Sequence, residues 1–600
     1  AAAGPDHAVI AAVETRIVEA ARAAYDQPGQ ATARMRAAIP YRFLSLLAVC
    51  LVLAVMEGKR SMAKANARHV WRRAGRIVAV PALLWLAAFI LHAMRILSDG
   101  WVELAWLVLL GELFVLGVSL LPARRPPAGA PVQTTHGTAH FGTAMQAAVA
   151  NHLVPLAPVD GFALGWMRDA PPGSDARFRQ SGHILTCAPT GAGKGIGAVI
   201  PNLLDYPGSA FVLDFKGENY AVTARARRDA GHDVLLIDPF GITGEPTQGM
   251  NWLDALDPSD PDVVALARAL ADMLVVSSDR ESDPHWNESA KELLRGLLIY
   301  VAGLEGDQRS MAEVRRIITS SEDDMAEVFG EMMVDPQRGQ RIVARAATAH
   351  VNRPEKERSS VLSTLVRHTG WLDDPRLEAT FNRSDFDLRD LKRRPMTVYL
   401  AIPPDRLRAC LGFVRGFIGL ALNAMTAVPG MPPTRVAFFL DEFGQLGRMD
   451  SLADTITILR GYGVQFWLFV QDLSQLKAVY PRWQSFLANT TQQFFGTADY
   501  DTAKYISDAL GQFTIRYQTT NRSSQTGGPG GSTGTGEHLQ GRFLLTPDEV
   551  MRLGPAKPIV MISGEAPYLL DRLNYLTDAP YARRFAENPM HGNAGARAAL

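Results

Sequence analysis

The sequence predicts an α/β fold: a parallel sheet flanked by helices, interrupted by an all-α insertion and preceded by N-terminal transmembrane helices. Three observations predict it. From about residue 182 onward, short apolar runs ending in turn residues alternate with helical patterns, the rhythm of a parallel sheet covered on both faces. Between residues 260 and 370 the apolar spacing becomes purely helical. Two long apolar stretches precede residue 122. At 600 residues the chain exceeds what one hydrophobic core holds, and roughly two to four domains are expected. With 47% hydrophobic and 20% charged residues, wholesale disorder and an all-membrane transporter are excluded. The 61 basic and 61 acidic residues cancel, so any nucleic-acid contact must come from a local patch or a pore lining. Cys50, Cys187 and Cys410 lie far apart in no C-x-x-C pair, which points to a reducing compartment and no cysteine-held metal.

Taken in order, residues 1–76 read as a cytoplasmic or interfacial region that begins with an Ala-rich amphipathic helix. Within it, the 14 apolar residues 43–56 are either a third span or an interfacial helix. Residues 77–94 form an 18-residue run without a formal charge, and 101–121 are long enough to return, giving a transmembrane hairpin over 77–122. Seven Lys or Arg residues lie between Lys59 and Arg76, and Arg124 and Arg125 follow the hairpin, so both of its ends face the cytoplasm. Glu112, inside the second span, faces either a neighbouring chain or its own hairpin partner. Residues 123–181 open with a Pro-rich linker and lead into the globular part, with His136 and His140 read as loop residues rather than metal ligands.

The predicted strands are 183–187, 209–213, 234–237, 397–402, 435–440, 465–470 and 492–496. They place the α/β domain over 182–259 and 371–580, with the all-α domain at 260–370 between its halves. The Gly/Ser/Thr-rich stretch 519–537 is expected to be a mobile loop, and 581–600 a flexible tail.

The sharpest local signal is CAPTGAGKGIG at 187–197, directly after an apolar run and before a helical stretch. A phosphate loop needs small residues whose N–H groups converge on phosphate oxygens, a lysine to meet the β/γ charge, and a helix N-terminus aimed at the anion. The candidate ATP-binding residues are therefore Ala188, Pro189, Thr190, Gly191, Ala192, Gly193, Lys194 and Gly195. Two positions depart from the general pattern: Ala188 stands where the first Gly belongs, and Gly195 where Ser or Thr normally touches Mg²⁺. The alternative is a glycine-rich strand-to-helix turn. The apolar run 435–440 ends in Asp441 and Glu442, as expected of a carboxylate that holds Mg²⁺ through water and a second that polarises the attacking water. In isolation the pair could equally open a surface helix. Both halves on strand ends of one α/β pattern point to an ATPase. Gln471, after the run 465–470, is either a γ-phosphate sensor or a helix cap. The cluster Asp214-Phe-Lys216-Gly-Glu218 is expected beside the phosphate loop, where strand ends bind ligands, with Lys216 meeting nucleotide, substrate or only Glu218.

At these residues the sequence resembles the coupling-protein ATPases of type IV secretion systems, the VirD4/TraG family. The phrases that carry the resemblance are APTGAGKG with IPNLL (188–204), VLDFKGENY (212–220), DPF (238–240), ERSSVLSTL (357–365), YLAIPPDRL (399–407), FFLDEFGQLGRM (438–449) and QDLSQL (471–476). The resemblance implies a RecA-like P-loop ATPase domain using ATP and Mg²⁺, an all-α domain at its cytoplasmic mouth, and an anchor in lipid of the bacterial inner membrane, with the bulk of the chain cytoplasmic. It implies Lys194 on the β/γ-phosphates, Asp441 and Glu442 as the Walker B pair with Asp441 serving the metal, and Gln471 as polar sensor. A phosphate loop ending Gly-Lys-Gly is usual in this family, so another group must complete the Mg²⁺ shell. The implied assembly is a ring, usually hexameric, that brings a relaxase on single-stranded DNA to the secretion channel components in conjugation. The alternative is a receptor for protein effectors without DNA. A ring ATPase completes its site with an arginine from the neighbouring subunit, and the candidates are Arg415, Arg448, Arg460 and Arg542. Candidate DNA contacts are Arg353, Lys356, Arg358 and the Arg460-Gly-Tyr462 turn. The short connection between the two predicted spans departs from the small periplasmic region usual in the family.

Overall fold

The computed structural model describes residues 134–153, 161–170, 176–276, 284–335, 337–524 and 531–589. The predicted hairpin at 77–122, the apolar run 43–56 and the rest of residues 1–133 lie outside them. Among the described residues no helix is long and apolar enough to cross a membrane.

Thirteen strands are described: β1 (Phe162–Trp166), β2 (Arg177–Gln180), β3 (Ile184–Cys187), β4 (Ala210–Asp214), β5 (Asp233–Ile237), β6 (Met396–Ala401), β7 (Val436–Leu440), β8 (Val464–Val470), β9 (Thr491–Phe494), β10 (Gln512–Ser524), β11 (Gly531–Phe543), β12 (Ile559–Met561) and β13 (Tyr568–Leu569). Nine build one sheet in the order β13-β12-β9-β3-β8-β7-β4-β6-β5. From β9 to β5 every pairing is parallel, and β12 and β13 close one edge antiparallel. All seven predicted strands are in the parallel part, each within two residues of its expected bounds. β7 and β8 are buried at every position, as strands covered on both faces must be. Alternation along β7 sends its two rings to opposite faces. Phe438 meets Phe211 and Phe466 at 5.5 Å on one, and Phe439 meets Phe162 at 5.2 Å on the other.

Between β5 and β6 the described residues hold helices and no strand, the main ones being Val263–Leu274, Pro284–Ala302, Met311–Thr319, Glu322–Val334, Ile342–Val351 and Glu355–Thr369. Ser310 and Ser321 start two of them by accepting from Glu313 N and Asp324 N, both at 3.2 Å. Helical turns continue past residue 370 as far as Arg393. Trp252, with Trp371 at 5.4 Å and Phe413 at 5.9 Å, fastens this layer to the helix Leu411–Ala427. A side chain at Gly416 would overlap Trp252, so glycine sets how closely that helix approaches.

Two expectations are corrected. Of the stretch 519–537, expected as a mobile loop, residues 519–524 and 531–537 belong to the antiparallel ribbon of β10 and β11, which pair from Gln512 opposite Phe543 to Ser524 opposite Gly531. Its flanks carry Thr, Tyr and Ile at strand spacing, and ladder hydrogen bonds between paired backbones do not require apolar composition. The tail expected from residue 581 packs over its first nine residues: Tyr581 is buried, and Ala586 N donates to Val222 O at 2.9 Å. A buried aromatic and a long-range backbone bond supply the anchoring that composition does not display.

Candidate nucleotide-binding site

The loop between Cys187, the end of β3, and Gly195, the start of a helical turn running into α1 (Ile200–Asp205), must reverse sharply within seven residues. Gly191 (φ 80°) and Gly193 (φ 85°) make this possible, because both sit in the left-handed region that glycine enters without penalty. A Cβ at Gly191 would meet nothing within 4 Å. One at Gly193 would overlap Arg572, whose Nη1 donates to Ala192 O at 2.6 Å. Gly191 leaves open space beside the loop, a cradle in which the N–H groups of such a loop and of a helix start can meet phosphate oxygens.

Opposite the cradle, β7 ends at Leu440 and delivers Asp441 and Glu442. Lys194 Nζ donates to Glu442 Oε1 at 2.6 Å and stands 2.9 Å from Asp441 Oδ1. β8 lies between β3 and β7, so Gln471, the residue after it, falls between loop and carboxylates, and its Nε2 donates to Glu442 Oε2 at 3.1 Å. Gln445 Nε2 donates to the same oxygen at 3.1 Å. Glu442 itself has φ 47° and ψ 40°, a left-handed conformation that costs a non-glycine residue about 1 kcal/mol or more. Its N–H bond to Asp441 Oδ1, 2.9 Å long, and the three side-chain donors hold it there. The four residues predicted to do chemistry, Lys194, Asp441, Glu442 and Gln471, thus meet in one cluster.

The charges are coupled. Burial works to lower the Lys194 pKa, but the two carboxylates outweigh it and raise it. Burial likewise pushes both carboxyls upward. In Asp441 it prevails, and the pKa is raised; in Glu442 the Lys194 charge and the donors from Lys194, Gln471 and Gln445 hold the carboxyl below its ordinary range.

The candidate arginines separate by burial. Arg415 is 2% exposed in the helix Leu411–Ala427, and its guanidinium donates to Met273 O (2.7 Å), Leu446 O (3.0 Å) and Arg448 O (2.8 Å). It is an internal strut and is withdrawn as a candidate for reaching a neighbouring chain. Arg448 pairs with Asp450, Arg542 pairs with Glu549, and Arg460 is exposed. Of the expected DNA contacts, Arg353 pairs with Glu292, Arg358 donates to the carbonyls of Val351 and Arg353, and Lys356 is exposed.

The Asp214 to Glu218 cluster reaches the phosphate loop through Glu218, whose Oε2 lies 3.8 Å from where a Cβ on Gly195 would stand. β4 is separated from β3 by β7 and β8, so the strand itself does not adjoin the one that carries the phosphate loop. Asp214 is buried and accepts from Lys216 N (3.2 Å) and Tyr220 N (2.9 Å), which locks the turn into α2 (Glu218–Asp229), and burial raises its carboxyl to about 6. Lys216 is exposed. Glu218 alone crosses to the loop. Arg572, which braces Ala192, went unread in the sequence, because a single arginine 380 positions from its acceptor carries no local signal.

A parallel sheet with a glycine loop and lysine after one strand, and paired carboxylates after the next strand but one, defines the P-loop class of nucleotide-binding folds. Residues 164–594 match the model of the type IV secretory system conjugative DNA transfer family. Conjugal transfer protein TraG of Escherichia coli is 30% identical over 442 residues, covering 69% of this chain and 68% of that protein. Protein VirD4 of Rhizobium radiobacter is 29% identical over 483 residues, 76% of this chain and 66% of that one. The chain belongs to this family, the VirD4/TraG coupling proteins. Among solved structures, the conjugative coupling protein TrwBdeltaN70 superposes with a TM-score of 0.54 at 16% identity, covering 77% of this chain and 98% of that one. TrwB in complex with ADP and Mg²⁺ gives 0.52 at 15% identity, covering 74% and 95%. These likenesses show a shared fold.

Proposed function

We propose that this chain is an inner-membrane coupling ATPase that binds ATP and Mg²⁺ at the Lys194–Asp441–Glu442–Gln471 cluster. In this reading it recruits a relaxase on single-stranded DNA to a type IV secretion channel, and hydrolysis supports the transfer. The observation that carries it is the meeting of those four side chains at the carboxyl ends of β3, β7 and β8 in a chain of the conjugative DNA transfer family. Its TraG relatives are named for conjugal transfer, and TrwB has been solved with ADP and Mg²⁺. Nothing observed favours a protein-effector receptor without DNA.

The residues fit a magnesium nucleotide: an open glycine cradle, one lysine, and two carboxylates facing it. Bound Mg²⁺ would neutralise charge on the β- and γ-phosphates. Lys194 leaves Asp441 and Glu442 for the β/γ-phosphate oxygens, and this releases both carboxylates for their own work. Asp441 would then help hold the metal. Glu442, oriented by Gln471 Nε2 and Gln445 Nε2, takes the proton of the attacking water at a side-chain oxygen. The predicted hairpin at 77–122 supplies the membrane anchor, and self-association into a ring, hexameric as the family resemblance implies, lets Arg448, Arg460 or Arg542 reach the neighbouring site.

The test is conjugative transfer from a donor in which this chain replaces the resident coupling protein. Lys194→Ala should reduce transfer by several orders of magnitude at unchanged protein level. Transfer at the wild-type rate would sink the mechanism.

A further inference from the structure

The phosphate loop ends Lys194-Gly195, so the hydroxyl that a Ser or Thr at this position would offer to Mg²⁺ is missing from the sequence. The structure shows what stands in its place. A Cβ on Gly195 would lie 3.8 Å from Glu218 Oε2, and among the described residues outside its own turn no other atom comes within 4 Å. A hydroxyl oxygen sits one bond beyond such a Cβ, so the carboxylate oxygen borders the space that the absent hydroxyl would fill. Glu218 is also aimed. Its other oxygen, Oε1, accepts from Asn588 Nδ2 at 2.6 Å, and the same amide donates to Tyr575 Oη at 2.8 Å. Tyr575 is fully buried and Asn588 is 6% exposed, so the strut that orients the carboxylate is itself rigid. Gly217 (φ 69°) supplies the turn that lets Glu218 leave the end of β4 and reach across two strands to the loop.

Resting on the ATP-site reading above, we propose that Glu218 is the protein ligand to the nucleotide-bound metal, replacing the hydroxyl of the usual phosphate loop, with Asn588 as its positioning residue. A carboxylate suits a hard divalent cation better than a neutral hydroxyl. It also adds a negative charge near the phosphates, which the cation and Lys194 offset. The chain thereby exchanges a ligand carried on the loop for one carried on a separate turn. Residues 575–588, which hold that turn, become part of the metal site without touching the metal.

The test measures two affinities on the full chain: that of a fluorescent ATP analogue in EDTA, and that of Mn²⁺ for the protein–ADP complex by electron paramagnetic resonance. Glu218→Gln should leave the first within about twofold and weaken the second tenfold or more. Adding Gly195→Ser to that variant should recover most of the Mn²⁺ affinity, because the serine restores an oxygen without restoring charge. Asn588→Ala should weaken Mn²⁺ binding less than Glu218→Gln does. Mn²⁺ binding unchanged in Glu218→Gln would overturn the proposal while leaving the ATP site standing. The proposal would fall in the same way if Gly195→Ser gave no recovery, or if Glu218→Gln lost the analogue in EDTA. Failure of the wild-type chain to bind the analogue at all would overturn the ATP reading, and the proposal with it.

Discussion

Replacing Arg415 with alanine is expected to destabilise the α/β core, where a residue reaching only a neighbouring chain would leave it intact. The side chain is 2% exposed and makes three hydrogen bonds of 3.0 Å or less to the carbonyls of Met273, Leu446 and Arg448. Hydrogen bonds from a charged donor contribute roughly 1.5–3 kcal/mol each, so the set stabilises by about 5–9 kcal/mol. Burial of the charge opposes this, since it pulls the guanidinium from 12.5 down to about 10. At about 1.4 kcal/mol per pH unit, that burial costs about 3 kcal/mol, leaving a net loss on truncation of about 2–6 kcal/mol. The carbonyls left behind belong to the end of one helix and to the segment after Glu442, so the Walker carboxylates should loosen as well. The assay is urea unfolding of the purified protein followed by tryptophan fluorescence, for which buried Trp252 and Trp371, packed against the helix that carries Arg415, are reporters. An unchanged midpoint, with turnover lost only in the assembled protein, would refute the internal role and return Arg415 to the arginines that act across a subunit boundary.

Three further outcomes are expected. Arg572→Ala removes the donor to Ala192 O and should weaken ATP-analogue binding about five- to tenfold with little change in melting temperature, the worth of one hydrogen bond at the loop; unchanged affinity would contradict this. Burial sets Asp214 at about 6, above its unfolded 3.8, so its contribution to stability is complete below about pH 4 and is lost as pH rises through 6. Asp214→Asn should therefore flatten the stability-against-pH curve in that window by about 3 kcal/mol, and a curve parallel to wild type would show the carboxyl to be unperturbed. Replacing residues 518–537 by a two-residue turn should leave the melting temperature within a few degrees, because the ribbon leaves the main sheet and Tyr517 near its outer half is 44% exposed; a large drop would place the ribbon in the core.

The parallel sheet was legible because its strands are buried on both faces and so read as unbroken apolar runs, VAFFL and VQFWLFV above all. β12 and β13, three and two residues long, are too short to leave a pattern, and β10 and β11 follow a Thr-rich alternation that composition disguises as linker. In the site, Lys194, Asp441, Glu442 and Gln471 could be found because each follows a recognisable strand. Arg572 and Asn588 could not, whereas Glu218 already stood in the cluster expected beside the loop. Arg572 braces the loop and Asn588 braces Glu218 from a distant segment, and only the path of the chain after β13 brings them there. Arg415 escapes sequence reading for a related reason: periodicity places it on a helix, but what surrounds that helix is decided by tertiary packing.

The central claim is a nucleotide motor coupled to DNA, and ATP turnover by the purified protein with and without single-stranded DNA, at low and high salt, tests it most directly. Stimulation by DNA that fades as salt rises, and that vanishes in Glu442→Gln, is the predicted result, since phosphate contacts release counterions and Glu442 takes the water's proton. Turnover indifferent to DNA at both salt concentrations, or unchanged in Glu442→Gln, would contradict it.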